Sequence, residues 1–171
     1  MAENLNYNAP DSKCYDNIEA NCATYGRLYN WATAMGIDAK YNMEEWGGSD
    51  LKHKGICPTG WHIPSNADWG VLITTVGSET AGRYLKATSG WRDYEGKSGN
   101  GTDDFGFSAL PGGSYDYSGY FVNVGNVGFW WSSSEIFSDN AYFWNMGYGY
   151  EDVYYDRINK SDLFSVRCLQ D

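Results

Sequence analysis

Residues 129–168 constrain the fold more than any other part of the chain. The run FWWSSSEIFSDNAYFWNMGYGYEDVYYDRINKSDLFSVRC has regular, core-like ends and a middle crowded with Tyr, Phe, Trp, Asp, Asn, Ser and Gly. That middle holds too many large aromatics for a disordered linker, and too little alternation or helical period for an ordinary buried element. It reads as a displayed contact surface. Tyr and Trp give large contact area at low entropic cost, while Ser, Gly and Asn adapt their hydrogen bonding.

The chain has 171 residues, which suits one domain spanning 1–171, and a domain of this size buries roughly 70% of the surface its unfolded chain exposes. With 15 Tyr, 8 Trp, 7 Phe and 21 Gly against a thin helix-favouring composition, a loop-rich α+β fold is expected, with two main helices, a small antiparallel sheet and long loops. The first helix is expected over 24–35, where Tyr25, Leu28, Tyr29 and Ala32 recur at helical spacing and Gly36 can supply the stop. The second is better marked. Ser65 is a candidate N-cap with Asp68 three residues on, Trp69, Leu72, Ile73 and Val76 form the buried stripe, and Gly77 ends it. Ser78 can cap a short helix through Tyr84 and Leu85. Two long connections are expected, one around Trp46, Gly47, Gly48, Ser49 and Asp50, the other over 89–101. Strands are expected at 107–110, 120–124, 128–132, 141–146 and 163–169. In the last, Phe164, Val166 and Cys168 alternate with a wetter Ser165 and Arg167.

None of the four cysteines sits in a CxxC pair, which argues against a tetracysteine zinc site. Cys14 and Cys22 flank a short polar loop that can close locally, leaving Cys57 to pair with Cys168 over a long one. Two such disulfides place the protein outside the cytoplasm; the alternative is four unpaired buried thiols in a cytosolic protein. A formal net charge of −10, with no segregated basic patch, opposes binding to nucleic acid or anionic headgroups. No apolar run is long enough for membrane insertion. Met1 is followed by Ala2, Glu3 and Asn4, as in a secreted protein that has lost its leader.

Six segments carry a resemblance: ENLNYN (3–8), YGRLYNWATAM (25–35), CPTGWHIPSNADW (57–69), GFSALPGG (106–113), WWSSSE (130–135) and FSVRC (164–168). In this order, over nearly the whole chain, they resemble the Fibrobacter succinogenes major paralogous domain family of gut Bacteroidetes surface proteins. The resemblance implies a C-type lectin-like fold, in the branch that holds the formylglycine-generating enzymes. That branch also contains the variable proteins of diversity-generating retroelements. By that likeness, residues 135–161 are a variable ligand-binding region, with sibling copies differing mainly between Ile136 and Ile158. The ligand is then a property of one copy, and no motif encodes it or the oligomeric state.

Catalysis has little to stand on. His62 within GWHIP is expected to be structural, and His53 between Lys52 and Lys54 to be solvated. Every cysteine has a disulfide partner available, so an activated thiolate is not expected. The Glu-Pro-Asn and Gln-Pro-Asp triplets of calcium-dependent sugar-binding lectins are missing, and Trp144-Asn145-Met146 lacks their Asp. Asp103, Asp104, Glu151, Asp152 and Asp156 are expected to be solvated charge, so neither a metal nor a cofactor is expected.

The expectation is therefore a noncatalytic, extracellular or cell-surface domain that binds a protein or other macromolecule. Phe137, Phe143, Tyr148, Tyr150, Tyr154 and Tyr155 are its expected anchors. Asp139, Asp152 and Asp156 set the polarity, Asn145 belongs to the site beside Phe143, and Ile136 and Ile158 bound the region. Alternation puts Phe143 and Asn145 on one strand face and Tyr142, Trp144 and Met146 on the other, and the Phe143 face is expected to be displayed. A carbohydrate-binding module is the first alternative, separable by a glycan array and a calcium test. An oxidative enzyme of the formylglycine-generating class is the second, separable by a free-thiol count.

Overall fold

Across residues 1–48 and 52–171, which the computed structural model describes, four short helices and three small antiparallel sheets make an α+β arrangement. Ser49 and Asp50 of the expected loop lie outside the described residues. Helix α3 (Asn66–Val76) forms as its local signals predict. Ser65 accepts from the Asp68 N–H, the Asp68 carboxylate accepts from the Ser65 N–H, and Gly77 closes the helix. Trp69 and Ile73 are buried, with Leu72 and Val76 packed on the same cluster. Helix α4 (Ala81–Leu85) follows, with Thr80 and not Ser78 before it.

The helix expected over 24–35 is instead two. Helix α1 (Glu19–Tyr25) stops at Gly26, and α2 (Trp31–Met35) starts from Asn30, whose side chain accepts the Thr33 N–H. Between them the chain is extended, because Leu28 pairs with Lys13, and Tyr29 exchanges backbone hydrogen bonds with Phe164. A distant extended segment thus outcompetes the local helical period; of the strand expected at 163–169, residues 163–165 make isolated bridges and only Leu169–Gln170 is a strand. Gly26 is required at the break: its φ is +77°, and a Cβ there would lie 2.7 Å from the Asn4 Cβ.

The main sheet has the order β4 (Val127–Glu135), β5 (Asn140–Gly147), β6 (Tyr154–Asn159). β6 was not anticipated, since Asp and Asn interrupt its pattern. β1 (Trp61–His62) pairs with β7 (Leu169–Gln170), and β2 (Ser114–Tyr115) with β3 (Phe121–Val122). Residues 107–110 form no strand; Ala109 makes one bridge to Lys86. Both faces of the β4–β5 pair are covered. Trp131, Ala141 and Phe143 join Tyr29, Trp31, Phe164 and Val166 on one side, whereas Trp130, Trp144 and Met146 join Trp69, Leu85 and Trp91 on the other. Each buried aromatic contributes roughly 2–3 kcal/mol of apolar burial. Their indole N–H groups need acceptors in so dry a place. Trp131 donates to Tyr29 C=O, Trp31 to Ser132 C=O, Trp130 to Asn4 and Trp144 to Asn66.

Ser165 and Arg167, expected on a wetter face, are buried. Arg167 donates to Phe107 C=O and to the Asn4 side chain and lies over the Phe107 ring. Burial pushes its guanidinium down to about 9, against the charges of Asp103 and Glu3. The cysteines are bonded Cys14–Cys22 and Cys57–Cys168. Among the described residues no helix is long and apolar enough to cross a membrane.

Asp162 is buried beside these strands and accepts the Tyr117 N–H at 2.6 Å. Burial pushes its carboxyl from 3.8 up to about 6, against that hydrogen bond and reinforced by the Asp116 charge. The folded chain therefore holds a proton that the unfolded chain releases, and this stability, fully present below the unfolded value, is lost as pH rises through about 6. Asp162→Asn keeps the acceptor without the charge. It should raise the thermal midpoint by roughly 3 °C at neutral pH and leave it unchanged near pH 4, as scanning calorimetry at both values would show.

Candidate functional site

Residues 135–161 open and close on one buried ion pair. Lys160 is fully buried, and its ammonium donates to Glu135 Oε2 at 2.7 Å, Ser138 C=O and Glu44 C=O, while lying over the Trp31 ring. The Glu135 carboxylate also accepts the N–H groups of Trp46 and Gly47. Burial pushes the Glu135 carboxyl up, but the hydrogen bonds from Lys160, Trp46 and Gly47 and the Lys160 charge outweigh it, and the net shift is downward. Both residues thus belong to the frame, not to the displayed surface.

Within that frame the site residues divide by exposure. Phe137 is 54% exposed, Tyr150 65%, Tyr154 56% and Tyr155 52%. Asp152 and Asp156 are exposed too, whereas Ile136, Asp139, Asn145, Tyr148 and Ile158 are half-buried. Phe143 is not displayed. It is 7% exposed and packs against Phe129 and Phe164, because β5 is the central strand and neither of its faces is free.

Cross-strand partners share a face, so register settles where each side chain goes. Tyr155 lies opposite Trp144 and stacks on it at 4.8 Å, and Trp144 in turn stacks on Trp69 at 5.9 Å. Tyr154 lies opposite Asn145, on the other face, and its hydroxyl donates to Asp156 at 3.1 Å. That bond to Asp156 raises the Tyr154 phenol above its ordinary value. As the outer strand, β6 leaves both faces open, so the two tyrosines address opposite sides of the sheet. On the Tyr154 side, Asn145, Gly147, Tyr150, Asp152 and Tyr154 line a hollow of about 240 Å³.

The turn carrying Tyr148 and Tyr150 is held closely. Lys86 donates its ammonium to Gly147 C=O at 3.0 Å and Tyr150 C=O at 2.9 Å, and the Arg83 N–H donates to Glu151 C=O. Gly82 lets the turn approach α4, since a Cβ there would meet Asp152 O at 2.4 Å. Beside it lies a second cleft of about 440 Å³ between this turn and the 89–101 loop. The sequence reading missed it. Its signal was the placement of Arg83, Lys86, Arg92 and Lys97 close together in a chain with only 12 basic residues.

The groups considered for catalysis have structural partners. All four cysteines are in disulfides. His62 is buried with Nδ1 at 2.7 Å from Asp171. His53, expected to be solvated, is half-buried against the Trp46 ring, with Nε2 at 2.6 Å from Met35 C=O. Asp103 accepts from both the N–H and the hydroxyl of Ser108. Among the described residues the only close grouping of three metal-ligating types is Cys14, Glu19 and Cys22, whose two sulfurs are bonded to each other.

No curated protein and no solved structure matches the chain. The profile of the Fibrobacter succinogenes major domain matches residues 1–170, and the chain belongs to that family.

Proposed function

We propose that the chain is a noncatalytic ligand-binding domain, extracellular or attached to the cell surface, with a C-type lectin-like fold of the formylglycine-generating-enzyme type. Its retroelement-diversified region at 135–161 presents aromatic anchors to a protein or other macromolecule. The observation that carries this reading is the set of exposed aromatics, Tyr154 and Tyr155 on the outer strand and Phe137 and Tyr150 in the turns on either side of β5, around an otherwise closely packed sheet. Exposed Tyr within reach of Asp152 and Asp156 supplies contact area and polar anchoring together. The two disulfides suit an oxidising compartment and hold the frame while the displayed residues change.

Sibling copies from the same genome test it by pattern. Changes should concentrate at positions 137, 150, 154 and 155 and spare Glu135, Phe143 and Lys160, beside a near-identical template repeat and a reverse transcriptase gene. Changes spread evenly along the chain would sink the diversification. For binding, the combined Tyr150→Ala, Tyr154→Ala and Tyr155→Ala variant should keep its fold and lose about 2 kcal/mol or more of affinity for a captured partner. Unchanged affinity in that titration would place recognition elsewhere.

A further inference from the structure

The second cleft differs in chemistry from the exposed tyrosine surface. In a chain of net charge −10, it is lined by Arg83, Lys86 and Lys97, with Glu151 as its one acidic residue. Among the described residues, no carboxylate lies within ion-pair distance of any of the three cations. Lys86 is the telling one. It is 3% exposed, and its partners are the carbonyls of Gly147 and Tyr150 and the face of Trp91. A buried charge whose direct hydrogen-bond partners are neutral dipoles is costly, and an anion arriving beside it relieves that cost. Burial lowers the Lys86 ammonium below the usual lysine value, while the charges of Glu151 and Asp152 pull it back.

The remaining lining narrows the anion. Asn100 uses its Oδ1 to accept the Trp91 N–H, which leaves its two amide N–H groups available to the cleft. Ser98 and Thr102 add hydroxyls, and Tyr94 and Tyr148, in edge-to-face contact at 5.1 Å, add apolar ring surface. Donors outnumber acceptors here. The cleft therefore suits a compact ligand rich in oxygen acceptors, negatively charged, and with an apolar C–H face for the tyrosines. Its volume matches a small-molecule site, whereas a single acidic side chain of a peptide would leave most of it unfilled.

We infer that this cleft binds an acidic sugar residue, a pyranose ring carrying a carboxylate, as in uronic or sialic acids. The carboxylate sits among Arg83, Lys86 and Lys97, the hydroxyls face Asn100, Ser98 and Glu151, and the ring lies against Tyr94 and Tyr148. The cleft shares Tyr148 and Tyr150 with the expected anchors but uses neither Tyr154 nor Tyr155, and it stands if recognition by those two fails.

An NMR titration of the intact chain tests it, with glucuronate, galacturonate and N-acetylneuraminate as probes. Glucose, galactose, inorganic phosphate, sulfate and a glutamate-rich peptide form the comparison arms. At least one sugar acid should shift the Tyr94, Tyr148 and Gly149 amides and bind about tenfold or more tightly than its neutral counterpart. The Arg83→Gln/Lys97→Gln variant, altering two exposed side chains, should remove that preference. Tyr154→Ala/Tyr155→Ala should leave it intact. The inference is overturned by equal binding of the neutral sugars, by equal or tighter binding of phosphate, sulfate or the peptide at the same amides, by no binding of any sugar acid, or by an unaltered preference in the Arg83→Gln/Lys97→Gln variant.

Discussion

Lys160→Met is expected to lower the unfolding free energy by about 3–5 kcal/mol, because it removes one half of a buried, hydrogen-bonded ion pair. The Glu135 carboxylate keeps its bonds to Trp46 and Gly47 but loses its counter-charge, and the carbonyls of Glu44 and Ser138 lose their donor. The loss also has a pH signature. Because Glu135 titrates below its ordinary value in the folded chain, its contribution is present above the unfolded value and fades as pH falls through the folded one. Without Lys160 that acid-side fade should move to higher pH. Urea midpoints across an acid series would measure both effects, and a loss below about 1 kcal/mol would mean that the pair contributes no more than an exposed one.

Removing the Cys57–Cys168 bridge should be of similar size. Its cysteines are 111 positions apart, against 8 for Cys14–Cys22, and chain entropy assigns the longer closure about 4–5 kcal/mol. Cys57→Ser/Cys168→Ser should therefore destabilise more than Cys14→Ser/Cys22→Ser. The gap is widened by burial, since Cys57 and Cys168 both sit in the main core cluster, where two hydroxyls would need new partners. Thermal midpoints of the two double variants decide the order; an equal or reversed order would show that loop length is not the governing factor.

What could be read from the sequence was what is decided locally. The Ser65 and Asp68 capping box and the Trp69 stripe lie within a few residues of one another, and α3 formed where they pointed. The disulfide pairing followed from four cysteines with one short loop among them. The misses were decided at a distance. The 24–35 helix broke because Tyr29 finds Phe164, and β6 hid because an outer strand with two wet faces shows no period. Alternation separated Phe143 from Trp144 correctly but could not tell that the central strand covers both. Lys160, in a polar NKSD stretch, carries no local mark of burial; only the meeting of Glu135, Glu44 and Ser138 around it dries that ammonium.

The placement of Tyr154 and Tyr155 on opposite sides of the outer strand has a combinatorial consequence. Tyr155 stacks on Trp144, whereas Tyr154 bonds Asp156 and lines the hollow with Asn145 and Tyr150, so beyond their own contact the two side chains have different partners and a double-mutant cycle between them should show only a small coupling. A substitution on one side then leaves the packing on the other largely as it was. On the proposed function, each face could then be altered separately and the two alterations joined in a single copy.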